Sequence, residues 1–273
     1  MRTVLPELTE QVVAQIRPAD DRLRDLLGHA VRHLHAFVRE TGLTQDEWAA
    51  VIEFLTRTGR MCTPERQEFV LLSDVLGVSM LVDAVTNDGT EATESTVLGP
   101  FYTGRQRDLG AGASILLREE PSAPLAVRGR VLDAAGAPVE SAIVEVWQAA
   151  SNQLYDVQDP EQPAGHLRGT FRTGPQGEYA FRTVVPTSYP IPDDGPVGQL
   201  LQRIGRHPYR PAHIHFRLSA PGCRTLVTHL FLAGDDYLES DAVYGVKPSL
   251  VVRPQPQDQG YVVAYDFRLA KDA

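Results

Sequence analysis

Turn-forming residues are segregated along this chain. Of its 20 prolines only three precede residue 96, of its 22 glycines only five, and of its nine tyrosines none. Proline removes a backbone donor and glycine loosens the backbone, so the chain cannot carry the same kind of structure on both sides of that point. Helices are expected first and short strands joined by tight turns afterwards. The expected fold is α+β, with a helical domain over residues 1–95 and an antiparallel β-sandwich domain over residues 96–273. Charge divides at the same place: the first 95 residues hold nine arginines and no lysine against 16 acids, and the remainder 17 basic residues against 19 acidic ones.

Within the first part, Leu23, Leu26, Leu27, Ala30, Leu34, Phe37 and Val38 recur at helical spacing and stop at Gly42, a residue suited to a left-handed C-cap. Thr44 and Glu47 form a capping box before Trp48, Val51, Ile52 and Leu55, with Gly59 as the expected stop. Thr63 then caps a third helix with Pro64 at its first position and Phe69, Leu72, Val75 and Leu76 along a buried face. Period-two runs begin near residue 125: LAVRGRVL, SAIVEVWQA, GEYAFRTVVP, HIHFRLSA, TLVTHLFLAG and a last strand, YVVAYDFRLA.

Several function classes are excluded by composition. No apolar run approaches the roughly 18 residues needed to cross a bilayer, so no membrane span is expected. A net charge of −9, without a cluster of basic residues interleaved with aromatics, argues against nucleic-acid binding. The N-terminus has no secretory character, and two cysteines, Cys62 and Cys223, make neither a disulfide framework nor a thiolate zinc site, which points to a reducing, cytoplasmic setting.

The sharpest local feature is RPAHIHF, residues 210–216. On a strand, His213 and His215 share one face and Ile214 and Phe216 the other, so two imidazoles stand side by side. They are either a metal-ligand pair or two polar residues on a solvated face. Tyr155 lies just past a strand, and Tyr189 in a proline-rich loop leading toward the histidines. Each is either an amphipathic residue at the core edge or a phenolate ligand, a hard anionic oxygen that, beside neutral imidazole, suits Fe(III) better than zinc.

Residues 97–101 (VLGPF), 145–155 (EVWQAASNQLY), 177–192 (GEYAFRTVVPTSYPIP) and 205–216 (GRHPYRPAHIHF) resemble the intradiol ring-cleavage dioxygenases of the catechol 1,2-dioxygenase type along nearly the whole chain. The resemblance implies a non-haem Fe(III) held by Tyr155, Tyr189, His213 and His215, and cleavage of an aromatic ring by O2 between two hydroxyl-bearing carbons. It also implies that Tyr189 is released as a base when a diol binds, and that Arg210 steadies charge developing on the substrate. The other reading of Arg210 is a surface ion-pair residue. By the same resemblance the N-terminal helices form a homodimer interface, with a phospholipid bound there in some members.

The segment THLFLAGDDYLESDAVYGVK, with His229 where catechol enzymes commonly have glutamine, resembles the hydroxyquinol-cleaving branch more than the catechol or chlorocatechol one. Asp83 would then accept a hydrogen bond from the third ring hydroxyl, unless it is simply a solvated helix residue. Met80, Val97, Leu98, Gly99, Pro100, Ile191, Pro192 and Val243 are expected to complete the pocket with Asp83, His229 and Arg210. A second class stays open, because the patterns Gly129–Pro138 and Gly177–Phe181 also occur in non-catalytic sandwich modules of the transthyretin-like sort.

Overall fold

The computed structural model describes residues 6–18, 20–63, 66–87, 91–104 and 106–272. Its contacts divide it into two compact units, Met1–Arg57 and Thr58–Ala273.

The first unit holds helices α1 (Pro6–Ala14) and α2 (Asp21–Thr41) and most of α3 (Gln45–Arg60). Their ends are set locally. Asp20 accepts from the Arg22 amide, and Gly42 closes α2 in the left-handed conformation. At α3 the Thr44 and Glu47 side chains each accept from the other's backbone amide, the expected capping box. The helix runs on through Gly59 to Arg60, so that glycine does not stop it. The apolar stripes are real but lie open within the single chain: Leu34 is 64% exposed, Phe37 52% and Trp48 53%.

The second unit opens with α4 (Glu68–Val75) and α5 (Val78–Asn87). The expected third helix is corrected here. It starts at Glu68, with Pro64 outside the described residues, and it buries Leu71 and Val75 while Phe69 and Leu76 are exposed. Those leucine and valine side chains meet Val197 and Leu201 of α6 (Pro196–Arg203), a helix not expected from the sequence, together with Ile191 and Val243. Among the described residues no single helix is long and apolar enough to cross a membrane.

The strands are β1 (Pro124–Asp133), β2 (Ile143–Trp147), β3 (Arg168–Arg172), β4 (Glu178–Val184), β5 (Tyr189–Pro190), β6 (Tyr209–Arg210), β7 (His213–Ser219), β8 (Leu226–Leu232), β9 (Val251–Val252), β10 (Gln255–Gln257), β11 (Gly260–Ala264) and β12 (Phe267–Leu269). One sheet runs β3-β2-β7-β8-β9, and the other β10-β11-β1-β12 with β4 also on β1. Between them lies one core, to which β7 contributes Ile214, Phe216 and Leu218, β2 Val144 and Val146, and the facing sheet Val127, Val131, Phe181 and Phe267. This is the sandwich, although its pairing is mixed: β11 and β12 both run parallel to β1, and β9 runs parallel to β8.

The stretch expected as one last strand is divided in two at Tyr265–Asp266. Gly129 of β1 sits so close to the break that a β-carbon there would lie 1.7 Å from the Tyr265 carbonyl oxygen. Asp266 is held by the Arg130 amide and guanidinium, which pins the two-residue break, and the register with β1 is the same on both sides of it. The short pair β5-β6 sets Tyr189 directly opposite Arg210.

Candidate active site

Because β7 alternates, the face opposite the core carries His213 and His215, and both are buried. The ladder aligns His215 with Trp147 on one side and with His229 on the other. The Trp147 indole stacks on the His215 ring, with centroids 4.7 Å apart. Tyr155 arrives from the loop after β2, its ring stacked on Phe101 at 4.5 Å, and Tyr189 arrives on β5.

All four side chains meet at their polar tips. The His213 and His215 Nε2 atoms are 3.1 Å apart, the Tyr155 hydroxyl is 3.0 Å from His215 Nε2, and the Tyr189 hydroxyl is 3.5 Å from His213 Nε2. His213 Nδ1 lies 2.7 Å from the Pro211 carbonyl, which can only accept, so its proton is on Nδ1 and Nε2 presents a lone pair. Burial, reinforced by the Arg210 charge, holds His213 well below the usual histidine range, and burial with the neighbouring His213 does the same for His215. Both are therefore neutral at pH 7. His215 Nε2 stands beside the His213 lone pair, and with its own proton on Nδ1 the two nitrogens would offer a cation two lone pairs at one point. Burial, and next the charge of Tyr189, pushes the Tyr155 hydroxyl well above the usual phenol range, so its anionic form also calls for a cation. Two imidazoles and two phenol oxygens form a donor set that fits a metal, and hard oxygens beside borderline nitrogens suit ferric iron.

Arg210 is 2% exposed and reaches into this cluster. Its Nε and Nη2 donate to the Asp241 carboxylate at 3.1 and 3.4 Å, and Nη1 donates to His213 Nε2 at 3.2 Å. Burial alone would loosen its proton, but Asp241 more than offsets this and holds the guanidinium charged. The surface ion-pair reading of Arg210 is thereby corrected. A second buried cation, Arg168, lies 5.8 Å from the Tyr155 ring and is paired with Asp156 at 2.6 Å.

The remaining pocket candidates are divided by the fold. Pro100, Ile191 and Pro192 line a cavity of about 940 Å³ with Phe101, Leu154 and Pro190, the last two being chain neighbours of Tyr155 and Tyr189. Gly99 lies against His215, where a β-carbon would stand 3.2 Å from the ring. Val97 and Val243 belong to the apolar cluster around Ile191, and Met80 is buried on α5. Asp83 and Leu98 line a separate, polar cavity of about 610 Å³. There Lys247 and Asn87 donate to the Asp83 carboxylate at 3.1 and 3.0 Å, so Asp83 is neither solvated nor free. His229 stands behind His215, with its Nε2 2.7 Å from His215 Nδ1 and its Nδ1 2.9 Å from Thr96 Oγ1. Thr96 and Arg168 carry no local motif in the sequence, and Trp147 and Asp241 lie inside quoted segments without a role having been read for them.

Residues 98–271 match the Dioxygenase family, and residues 20–94 match the family described as the catechol dioxygenase N terminus. The chain belongs to the intradiol ring-cleavage dioxygenases. It is 50% identical to the hydroxyquinol 1,2-dioxygenase of Rhizobium sp. strain MTP-10005, over 96% of this chain and 94% of that one. With the 6-chlorohydroxyquinol 1,2-dioxygenase of Cupriavidus pinatubonensis it shares 47% identity over 96% of each. Among solved structures, the hydroxyquinol 1,2-dioxygenase of Pseudomonas putida DLL-E4 superposes with a TM-score of 0.90 at 46% identity, covering 97% of both chains. As an intradiol dioxygenase the protein is an enzyme with a metal cofactor that acts on aromatic diols with O2. The alternative of a non-catalytic sandwich module is set aside.

Proposed function

We propose that this dioxygenase cleaves hydroxyquinol, benzene-1,2,4-triol, between its vicinal hydroxyls, adding both atoms of O2 to give maleylacetate. The convergence of Tyr155, Tyr189, His213 and His215 on one point beside a buried arginine carries the reaction type. Identity of 46–50% along nearly the full length of hydroxyquinol 1,2-dioxygenases supports the choice of diol.

In this reading the metal is Fe(III), held by those four side chains, and when bound it supplies the Lewis acidity and electron acceptance that make a chelated diol reactive toward O2. His213 and His215 offer Nε2 lone pairs. Tyr155 and Tyr189 offer phenolate oxygens, which together cancel two of the three charges. The Tyr189 oxygen, which lies at the edge of this cluster, would be a protein base for a diol proton. Arg210 Nη1 is fixed by Asp241 where it can donate to negative charge growing on the ring. Pro100, Ile191 and Pro192 form the apolar wall nearest these groups, and ring stacking by Trp147 and Phe101 holds His215 and Tyr155 in place.

Oxygen uptake by the iron-loaded protein with hydroxyquinol, catechol, 4-chlorocatechol and protocatechuate, side by side, tests the reading. Hydroxyquinol should give the highest kcat/KM. A higher value for catechol, with cis,cis-muconate as product, would make the protein a catechol 1,2-dioxygenase instead.

The open apolar stripes of α2 and α3 support a homodimer through the N-terminal helices, and a monomer by light scattering at micromolar concentration would refute it. A phospholipid at that interface belongs to the same proposal and rests on resemblance alone. A cytoplasmic setting is part of it too, in keeping with two unpaired thiols, Cys62 and Cys223.

A further inference from the structure

The two histidines of the candidate metal site are oriented by different devices. His213 hands its Nδ1 proton to a backbone carbonyl, that of Pro211, which no side-chain substitution removes. His215 instead faces His229, and His229 faces Thr96. All three are buried, and His215 and His229 stand opposite each other in the β7-β8 ladder. A histidine partner can donate or accept, so the tautomer of His215 is not fixed by that contact alone. It goes with the direction of the whole chain, whose two ends are hydroxyls able to donate or accept, and a cation at Nε2 requires one of the two directions. The Tyr155 hydroxyl can donate to His215 Nε2, which leaves His215 Nδ1–H to donate to His229 Nε2, and His229 Nδ1–H to donate to Thr96 Oγ1. In the opposite direction a proton on His215 Nε2 would point into the place where the other donors meet.

We propose that His229 and Thr96 are positioning residues that hold His215 with its proton on Nδ1 and its Nε2 lone pair turned to the metal. The inference rests on the reading that Tyr155, Tyr189, His213 and His215 hold the ion. It replaces the expectation that His229 contacts substrate, since both of its ring nitrogens are used inside the fold. It also removes His229 as a third imidazole ligand, although its nitrogens lie close to those of His213 and His215. An imidazole's two nitrogens look outward from different edges of the ring, and His229 faces His215 Nδ1 while the other donors face Nε2. Donation from Nδ1 also makes Nε2 a better electron donor to a bound cation.

The test compares His229→Gln, His229→Leu and Thr96→Val with wild type. Glutamine can accept from His215 through Oε1 and donate to Thr96 through Nε2, so it can preserve the chain, whereas leucine breaks it. In the metal-free protein, long-range ¹H–¹⁵N NMR reads the His215 tautomer; in the iron-loaded protein without substrate, iron loss to a chelator and the visible phenolate charge-transfer band are followed. His229→Leu should lose the single tautomer, weaken iron binding roughly 10- to 100-fold and shift the band, with His229→Gln close to wild type. Thr96→Val, nearly isosteric and touching neither metal nor substrate, should move all three readouts in the same direction by less. If His229→Leu, folded by circular dichroism, keeps the wild-type tautomer and iron affinity, or if glutamine fares no better than leucine, the relay is overturned. Should His229→Leu fail to fold, unchanged readouts in Thr96→Val overturn it. Full iron retention by His215→Ala overturns the ligand reading and the relay with it, whereas iron loss there with an unaffected His229→Leu overturns the relay alone.

Discussion

Replacing Arg210 should cost the protein twice, and the two costs can be separated. The first is catalytic. Nη1 is the one nitrogen of the guanidinium directed at the donor cluster, Asp241 holding the other two, and loss of one such preorganised donor typically lowers kcat by about 10²- to 10³-fold, about 3–4 kcal/mol. The second is structural. Arg210→Ala leaves the Asp241 carboxylate buried without its countercharge, a change worth about 3–5 kcal/mol. The Gly245 and Val243 amides still donate to Asp241 at 2.8 and 3.3 Å, which favours the lower end of that range. An exposed pair would lose only about 0–1 kcal/mol. Arg210→Met with Asp241→Asn should regain most of the stability, since no charge remains buried, and none of the turnover. Arg210→Lys should recover part of each, because an ammonium cannot span both Asp241 and the cluster. Urea unfolding gives the stability, and mixing the anaerobic enzyme–substrate complex with O2 gives the ring-cleavage rate free of product release. Cleavage within about twofold of wild type in Arg210→Ala, at equal iron content, would refute the assigned role.

Three further outcomes follow from particular contacts. His215→Ala should lose iron, as read by elemental analysis, yet keep its circular dichroism, because the core face of β7 is made by Ile214, Phe216 and Leu218; unfolding of the metal-free variant would contradict that division of faces. Gly129→Ala should lower stability by at least the ~1–3 kcal/mol of an overpacked site, seen as a lower Tm, since its β-carbon meets the Tyr265 carbonyl; an unchanged Tm would show that the break relaxes freely. Burial holds His166 below the usual histidine range despite Glu120 beside it, and His166 Nδ1 already accepts from the Leu117 amide. The unfolded chain then binds a proton near pH 6.5 that the folded one refuses, so stability should fall as pH drops through that value, and His166→Gln should flatten this part of the profile.

Much of the fold was legible because its signals are local. The capping box at Thr44 and the stop at Gly42 need only neighbours in sequence, and both are found as expected. What failed depends on distant partners. The buried side of α4 is chosen by α6 and Val243, far along the chain, which keeps Val75 buried as expected but puts Leu71 in the core in place of Phe69 and Leu76. β3 reads RGTFR, a polar run with arginine at both ends, and is drawn into the sheet by pairing with β2. The break between β11 and β12 is made by Gly129, more than 130 residues earlier, and nothing within YVVAYDFRLA announces it.

For the site, period-two alternation was enough to place His213 and His215 on one face, but it is silent about what lies behind them. His229 also sits on a strand beside these histidines, and from composition alone it is as good a ligand or substrate contact as they are. Only the register of β7 with β8, which turns His229 toward Nδ1 of His215, separates a residue that supports a ligand from one that could be a ligand. Asp83 teaches the same point through charge. An aspartate on an apolar helix looked available to a third ring hydroxyl, yet Lys247, 164 positions away, already takes one of its oxygens. If Asp83 does read that hydroxyl, Lys247→Met should change the preference between hydroxyquinol and catechol by freeing the carboxylate. If Asp83 serves only to join α5 to the segment before Pro248, Lys247→Met should lower stability and leave the preference where it was, because a group already satisfied by its own protein has little left to offer a substrate.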